Sequence, residues 1–269
     1  MHASSRIFRA RAKTSTGSYF AGSFPELDLR HGVYQVRFAS NQLDLLAALR
    51  LRFEVFNLEL GEGLVSAFET GHDRDDFDEI CDHLIVEHLP SDRVVGTYRL
   101  QTGPRAKENA GYYSEREFNF DPYEGLRDEV VEVGRACIHR NHRSTEVLHL
   151  LWQGIARYVE YHSARYVLGC SSLTSQDPAE GSAIFESLHD YMVREELRTR
   201  PQPAFTMPTT SLCGGDCKVP KLLRTYLAIG ANICGPPAID REFKTIDFLT
   251  LLDLRELHPR IRARFLATR

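Results

Sequence analysis

Nothing in this chain of 269 residues reads as a membrane span, because no apolar run approaches the roughly 18–20 residues that crossing a bilayer takes. The start of the chain has no apolar h-region, so it does not read as a secretory signal. A surplus of positive charge is missing too. Lys and Arg number 33 against 37 Asp and Glu, the net charge is −4, and nucleic acid is not an expected partner. Six cysteines, at 81, 137, 170, 213, 217 and 234, lie scattered rather than in a disulfide framework, so a reducing cytoplasm is expected. Cys213 and Cys217 have a CxxxC spacing, but zinc needs a second ligand pair and none has suitable spacing, so no metal is expected. Calcium fails on similar grounds. A loop starting at Asp73 carries Asp78 at its sixth position, where the EF-hand needs glycine. Internal repeats and low-complexity segments are also absent.

What is present is an ordinary globular composition, 42% hydrophobic and 26% charged, in a chain long enough for one large domain. Three regions are expected: a flexible basic segment over 1–30, a catalytic domain over 31–254, and a basic amphipathic helix over 255–269. The last could lie on an anionic membrane surface. Tyr34 to Phe38 alternates like a strand. Asn41 then caps a helix whose stripe is Leu43, Leu45, Leu46, Leu49, Phe53 and Phe56. His83–Val86 and Val94–Leu100, joined by Pro90-Ser91-Asp92, read as a hairpin. Between helix and hairpin lies an acidic loop with Asp73, Asp75, Asp76 and Asp78, suited to receive a cationic group or simply to be solvated.

The chain is organised around Val130-Val131-Glu132-Val133-Gly134-Arg135-Ala136-Cys137-Ile138-His139. A β-branched strand is followed by a polar turn, Arg140 to Thr145, and by an apolar helix from Val147. Ser144 or Thr145 could cap that helix. Glu132 and Arg135 are odd members of a buried strand. Three residues apart, they point to opposite faces unless a bulge intervenes, and a structural ion pair is the plain alternative to a shared pocket. The mix of hairpin and strand-helix-strand order supports an α/β or α+β sheet with antiparallel and parallel parts.

Four motifs occur in one order: Arg52-Phe53-Glu54-Val55-Phe56, Asp75-Asp76-Phe77-Asp78, Gly96-Thr97-Tyr98-Arg99-Leu100 and Glu132-Val133-Gly134-Arg135. Together they resemble the acyl-transferring branch of the GCN5-related N-acetyltransferase (GNAT) superfamily. That branch holds the acyl-homoserine-lactone synthases and the bacterial ornithine and amino-acid N-acyltransferases that use acyl carrier protein. Gly134 and Ala136 beside Arg135, and the segment 222–254, are similar to the second, hemolysin-like group. The resemblance implies a GNAT fold, with a mixed, mostly antiparallel sheet flanked by helices and splayed at its central strands. It also implies an enzyme that moves a long-chain acyl group, with or without a 3-hydroxyl, from acyl carrier protein to the α-amine of an amino acid. Ornithine leads, glycine remains open, and the alternatives are lactone synthesis or a non-catalytic carrier-binding module. Glu132 is expected as general base, directly or through a water, with Arg135 orienting it or binding the acceptor carboxylate. Arg52, Phe56, Asp75, Asp78 and Arg99 are expected at the acceptor site, where Asp75 and Asp78 hold the acceptor's cationic groups or order Arg52 and Arg99. The turn Arg140 to Thr145 lacks the glycines with which acetyl-CoA-using members cradle pyrophosphate. A phosphopantetheine donor on an acidic carrier is therefore expected, met by Arg140, His142, Arg143 and Ser144. No bound cofactor is expected. The protein is expected in the cytoplasm, in peripheral contact with the inner face of the membrane.

Overall fold

The structure, a computed structural model, describes residues 24–208 and 218–265. Its strands are β1 (Leu29–His31), β2 (Tyr34–Phe38), β3 (Asp82–His88), β4 (Arg93–Thr102), β5 (Val130–Ile138), β6 (Tyr166–Leu173), β7 (Asn232–Ile233), β8 (Ala238–Asp240) and β9 (Thr245–Asp253). Its α-helices are α1 (Gln42–Arg52), α2 (Ala67–Thr70), α3 (Gly103–Glu108), α4 (Thr145–Tyr161), α5 (Pro178–Ser187), α6 (Lys221–Ile229) and α7 (Pro259–Phe265). The strands form one sheet in the order β1-β2-β3-β4-β5-β6-β9-β7, with β8 also on β9. Every pairing is antiparallel except β5 with β6. This is the mixed, mostly antiparallel sheet of a GNAT fold, as the motifs implied.

Each face of the sheet is covered by its own core. The Val147, Leu150, Leu151, Ile155 and Tyr158 stripe of α4 packs on Leu84, Val86, Tyr98, Leu100 and Val131. Burying each such side chain contributes about 1.5–3 kcal/mol, which fixes α4 against the sheet far more firmly than helix propensity does. Ser144 caps α4 by accepting from the Val147 amide, and Asn41 caps α1 by accepting from Leu43 and Asp44. On the opposite face Tyr112, Phe118, Phe120 and Tyr123, from the irregular stretch before β5, pack on Val130, Leu168, Leu249 and Leu251. The ends depart from the three-region expectation. Phe24 stacks on Phe38 and Leu27 is buried, so the packed body begins before residue 31, while residues 1–23 lie outside the described ones. At the other end, α7 starts only at Pro259 and tucks Ile261 against Leu257 and Leu252.

Two irregularities at the centre of the sheet position everything that follows. First, Thr97 faces Cys137 and Arg99 faces Gly134, so Tyr98 alone opposes both Arg135 and Ala136. This is a β-bulge, and Arg135 takes a left-handed φ of 50° within it. The bulge is what re-aims Arg135 relative to Glu132. Second, β5 pairs with β6 only over Val130–Glu132 and Tyr166–Leu168. Beyond that the strands diverge and leave a wedge. At its throat Gly169 lies so close to β5 that a Cβ there would collide with the Val133 carbonyl oxygen. Because that neighbour is backbone and cannot swing away, Gly169→Ala is expected to lower unfolding stability by about 1–3 kcal/mol, as overpacked substitutions do. Urea unfolding of the variant checks this.

Candidate active site

Beside the bulge, three arginines and three aspartates close into a ring. Arg52 at the end of α1 donates to Asp73 at 2.7 Å and to Asp78 at 2.6 Å. Arg99 of β4 donates to Asp78 at 2.9 Å and to Asp75 at 2.5 Å. Arg135 of β5 donates to Asp75 at 2.9 Å, and its Nε lies 3.3 Å from Asp73. Asp75 also caps a short 3₁₀ turn, with Asp78 reaching back to the Asp75 amide in a capping box, and this stiffens the acidic loop. Arg52, Asp73 and Asp78 have no exposed side-chain surface. Burial alone would raise the Asp78 carboxyl, but Arg52 and Arg99 outweigh it and hold Asp78 well below the usual carboxylate range. Asp75 is lowered against the same burial by Arg99 and Arg135. The ring is electrically neutral. Asp75 and Asp78 therefore order Arg52 and Arg99, and neither has charge to spare for an incoming cation.

The ring supports an aromatic clamp. The Arg135 guanidinium carbon sits 4.8 Å from the centroid of Tyr113 and 4.3 Å from that of Phe243. Arg99 lies 5.4 Å from the same Tyr113 ring. Phe56 meets Phe243 edge-on at 5.4 Å. Glu132 holds this clamp from behind: Oε2 accepts from the Tyr113 amide at 2.8 Å, and Oε1 accepts from the Ser114 amide at 2.8 Å and the Ser114 hydroxyl at 2.6 Å. Burial raises the Glu132 pKa, against the pull of those donors. Here the geometry gives Glu132 a positioning role alongside the base role expected from sequence. Two donors fill Oε1 and one sits on Oε2, so three of the carboxylate's roughly four acceptor sites are spent on fixing Tyr113 and Ser114 and one on Oε2 stays open.

Groups that the motifs did not single out share this face. Glu62 accepts from Thr174 at 3.0 Å, and burial, with Asp247 adding repulsion, pushes it up to about 7. Glu117, Asp240 and Asp247 each offer an oxygen within 4.8 Å of the others; such a set could hold a metal ion or an ammonium. Burial, with mutual repulsion, raises Glu117 well above the carboxylate range and Asp247 to about 6. Asp247 carries the same signal as Glu132, a lone carboxylate in an apolar strand. Glu117 sits in an irregular polar stretch where no pattern marks it. Cys213 and Cys217 lie outside the described residues.

The other side of the wedge is apolar. Tyr98, Val133, Trp152, Ile155, Gly169 and Tyr226 line a groove of about 50 Å³. Tyr226 of α6 closes it through a 2.5 Å hydrogen bond with Tyr98.

The basic docking patch expected at the turn is weaker in the structure. Arg143 is paired bidentately with Glu59 at 2.7 and 2.8 Å. His142 bonds the Tyr34 hydroxyl at 3.0 Å, and burial with the neighbouring His88 lowers its pKa, so it stays neutral. Ser144 is spent on the cap. Arg140 is exposed.

Residues 51–153 match the family described as an acetyltransferase (GNAT) domain. An L-ornithine N(alpha)-acyltransferase of Brucella abortus (strain 2308) is 33% identical over 249 residues, 86% of this chain and 88% of that protein. One of Rhodobacter capsulatus is 30% identical over 241 residues, 85% of this chain and 93% of that protein. Among solved structures, the acyl-homoserine-lactone synthase LasI superposes with a TM-score of 0.48 at 10% identity, covering 86% of this chain and 94% of that one.

Proposed function

This chain belongs to the family of the L-ornithine N(alpha)-acyltransferases and is an acyltransferase, and from that premise we propose that it moves a long-chain acyl group from the phosphopantetheine thioester of acyl carrier protein to the α-amine of ornithine. The product is a lyso-aminolipid, and a 3-hydroxyacyl chain fits the same route. The observation that carries the reading is the wedge between β5 and β6. It joins an apolar groove on one side to a charged, aromatic-lined site on the other. A thioester lying in the wedge has its acyl chain in the groove and its carbonyl beside backbone N–H groups of β5 that β6 no longer engages. Such donors stabilise the tetrahedral oxyanion by about 3 kcal/mol each. The groove is too small for a long chain as it stands, so entry of the chain requires α6 and Tyr226 to move aside.

The amine attacks the carbonyl carbon, a C–N bond forms, the C–S bond breaks, and the thiol leaves with a proton. The attacking nitrogen gives up its own proton to a base. Glu62 suits this task, because a base works best with a pKa near the working pH and burial sets Glu62 to about 7. Only the ionised base accepts a proton, so the rate is expected to fall as pH drops below about 7. Glu62→Gln should remove that limb from the pH profile of kcat/KM, leaving only the limb of the amine itself; an unchanged profile would exclude Glu62. Transfer is direct rather than through an acyl-enzyme. Burial, with Glu117 and Asp247 nearby, raises the Cys170 thiol well above its ordinary pKa and keeps it protonated.

Arg135 is committed to Asp73 and Asp75, so the acceptor carboxylate falls to the Arg116 and Arg241 side chains, which line a cavity beside Tyr113 and Glu117. Arg140 is the residue of the turn left to meet an acidic carrier. No helix among the described residues is long and apolar enough to cross a membrane. Arg260 and Arg262, exposed on α7, suit contact with an anionic membrane surface, where the product would partition. Mixing the purified enzyme with acyl carrier protein charged with a 3-hydroxyacyl chain and with L-ornithine should release carrier thiol and give N-acylornithine by mass spectrometry. A lactone formed from S-adenosylmethionine, or carrier binding without thiol release, would sink the proposal.

A further inference from the structure

The ring and the triad treat the same chemistry in opposite ways. In the ring, every aspartate is matched by an arginine. Glu117, Asp240 and Asp247 are 1%, 5% and 3% exposed, and among the described residues none of them forms an ion pair. Glu117 Oε1 and Asp247 Oδ1 are buried and have no hydrogen-bond partner. Asp240 is held in place by the amides of Glu242 and Phe243, at 2.8 and 2.9 Å, and by the Tyr113 hydroxyl at 3.4 Å. A buried carboxyl oxygen left without a partner is costly, so two of them, converging with Asp240 and with no arginine among them, make a site that lacks its cation. A cavity of about 170 Å³ opens against two of them, Glu117 and Asp240, and is also lined by Tyr113, Phe205, Arg116 and Arg241.

We propose that Glu117, Asp240 and Asp247 are the subsite for the side-chain ammonium of the acceptor, so that the enzyme selects a diamino acid. The inference rests on the acyltransfer reading above and deepens it. A primary ammonium has three N–H donors and no acceptor, which matches three carboxylates around one point. The placement is right for the chemistry. Glu117 Oε2 lies 3.7 Å from the Cys170 sulfur, and Cys170 follows Gly169, the throat of the wedge. An amino acid whose far end sits on the triad can therefore turn its α-amine toward the thioester. Raised carboxyl pKa values on Glu117 and Asp247 are what an unfilled cation site shows; the ammonium would bring both down.

L-Norvaline has the same carbon skeleton as L-ornithine without the terminal amine. With the full-length enzyme and a charged carrier protein, kcat/KM for L-ornithine is expected to exceed that for L-norvaline by at least about 100-fold, since a site built for a polar group rejects an analogue lacking it. Glu117→Gln and Asp247→Asn should each lower kcat/KM for L-ornithine by about 30-fold or more, leave L-norvaline within about threefold, and melt no lower than the parent. Equal losses on both acceptors would overturn the subsite. So would a requirement for a divalent cation: EDTA abolishing both activities, with Mg²⁺ or Mn²⁺ restoring them, makes the triad a metal site. Calorimetric titration without donor separates the subsite from the reaction. If no amino acid is acylated but L-ornithine binds, L-norvaline does not, and Asp247→Asn abolishes binding, the subsite stands and the acyltransfer reading falls. Absence of both turnover and L-ornithine binding overturns both.

Discussion

Asp78→Ala should lose about 3–5 kcal/mol of unfolding stability, the loss that follows when one partner of a buried ion pair is removed. Native domains hold only about 5–15 kcal/mol, so the variant is expected near the limit of folding. Asp78 bonds two arginines, Arg52 and Arg99, and grips Arg52 with both of its oxygens. Removing it leaves two guanidinium groups with unmet donors in a space water does not reach. Asp78→Asn keeps the shape and one acceptor and should fall between the parent and Asp78→Ala. The same ring predicts acid lability. Asp75 and Asp78 have folded-state pKa values depressed below their unfolded ones. Their stabilisation is then complete above the ordinary aspartate range, near pH 4, and is lost as pH falls through the depressed values. Urea midpoints taken from pH 7 down to pH 3 should therefore drop steeply at the acid end for the parent, and less for Asp78→Ala. A ring variant with parent stability would show that the charges are solvated instead.

Glu132→Gln should be the second severe change, and its character separates two roles for the residue. The carboxylate accepts three bonds on two oxygens. A carboxamide offers one oxygen and turns an NH₂ toward a backbone N–H. One charge-assisted bond is lost and a buried donor is left unmet, together about 2–4 kcal/mol. Because the displaced residues are Tyr113 and Ser114, the clamp on Arg135 loosens, and kcat/KM should fall by about 100-fold, as misplacement of positioning residues does. If Glu132 acts by positioning, the profile of kcat/KM keeps its shape against pH while the whole curve drops. If instead it takes the proton, the acid limb disappears in Glu132→Gln and persists in Glu62→Gln. A stopped pH series on both variants decides it.

Local signals made much of this legible in advance. Asn41 and Ser144 cap the helices they were expected to cap, because side-chain acceptors one turn from an apolar stripe act over a few residues only. The hairpin of β3 and β4 was readable for the same reason, from the turn residues Pro90-Ser91-Asp92 between two apolar, β-branched runs. The oddity of Glu132 and Arg135 in a buried strand was visible too, as was the need for a bulge if they were to serve one place. Which partners they take was not. Arg135 looks to Asp73 and Asp75 some sixty residues earlier in the chain, and Glu132 to Tyr113 and Ser114 in a stretch without periodicity.

The residues alone therefore determined the class of the protein: a mixed sheet around one central strand, four charged motifs in a fixed order, and a turn without glycine. Those are properties of neighbouring residues and of pattern, and pattern survives in one dimension. Only the tertiary structure decided that Asp75 and Asp78 are consumed in a neutral ring, that Glu132 holds Tyr113 and Ser114, and that Glu117, Asp240 and Asp247 converge with no arginine among them. Charge balance inside a protein is settled by which groups burial brings within a few ångströms of one another, and that depends on the closure of the whole sheet.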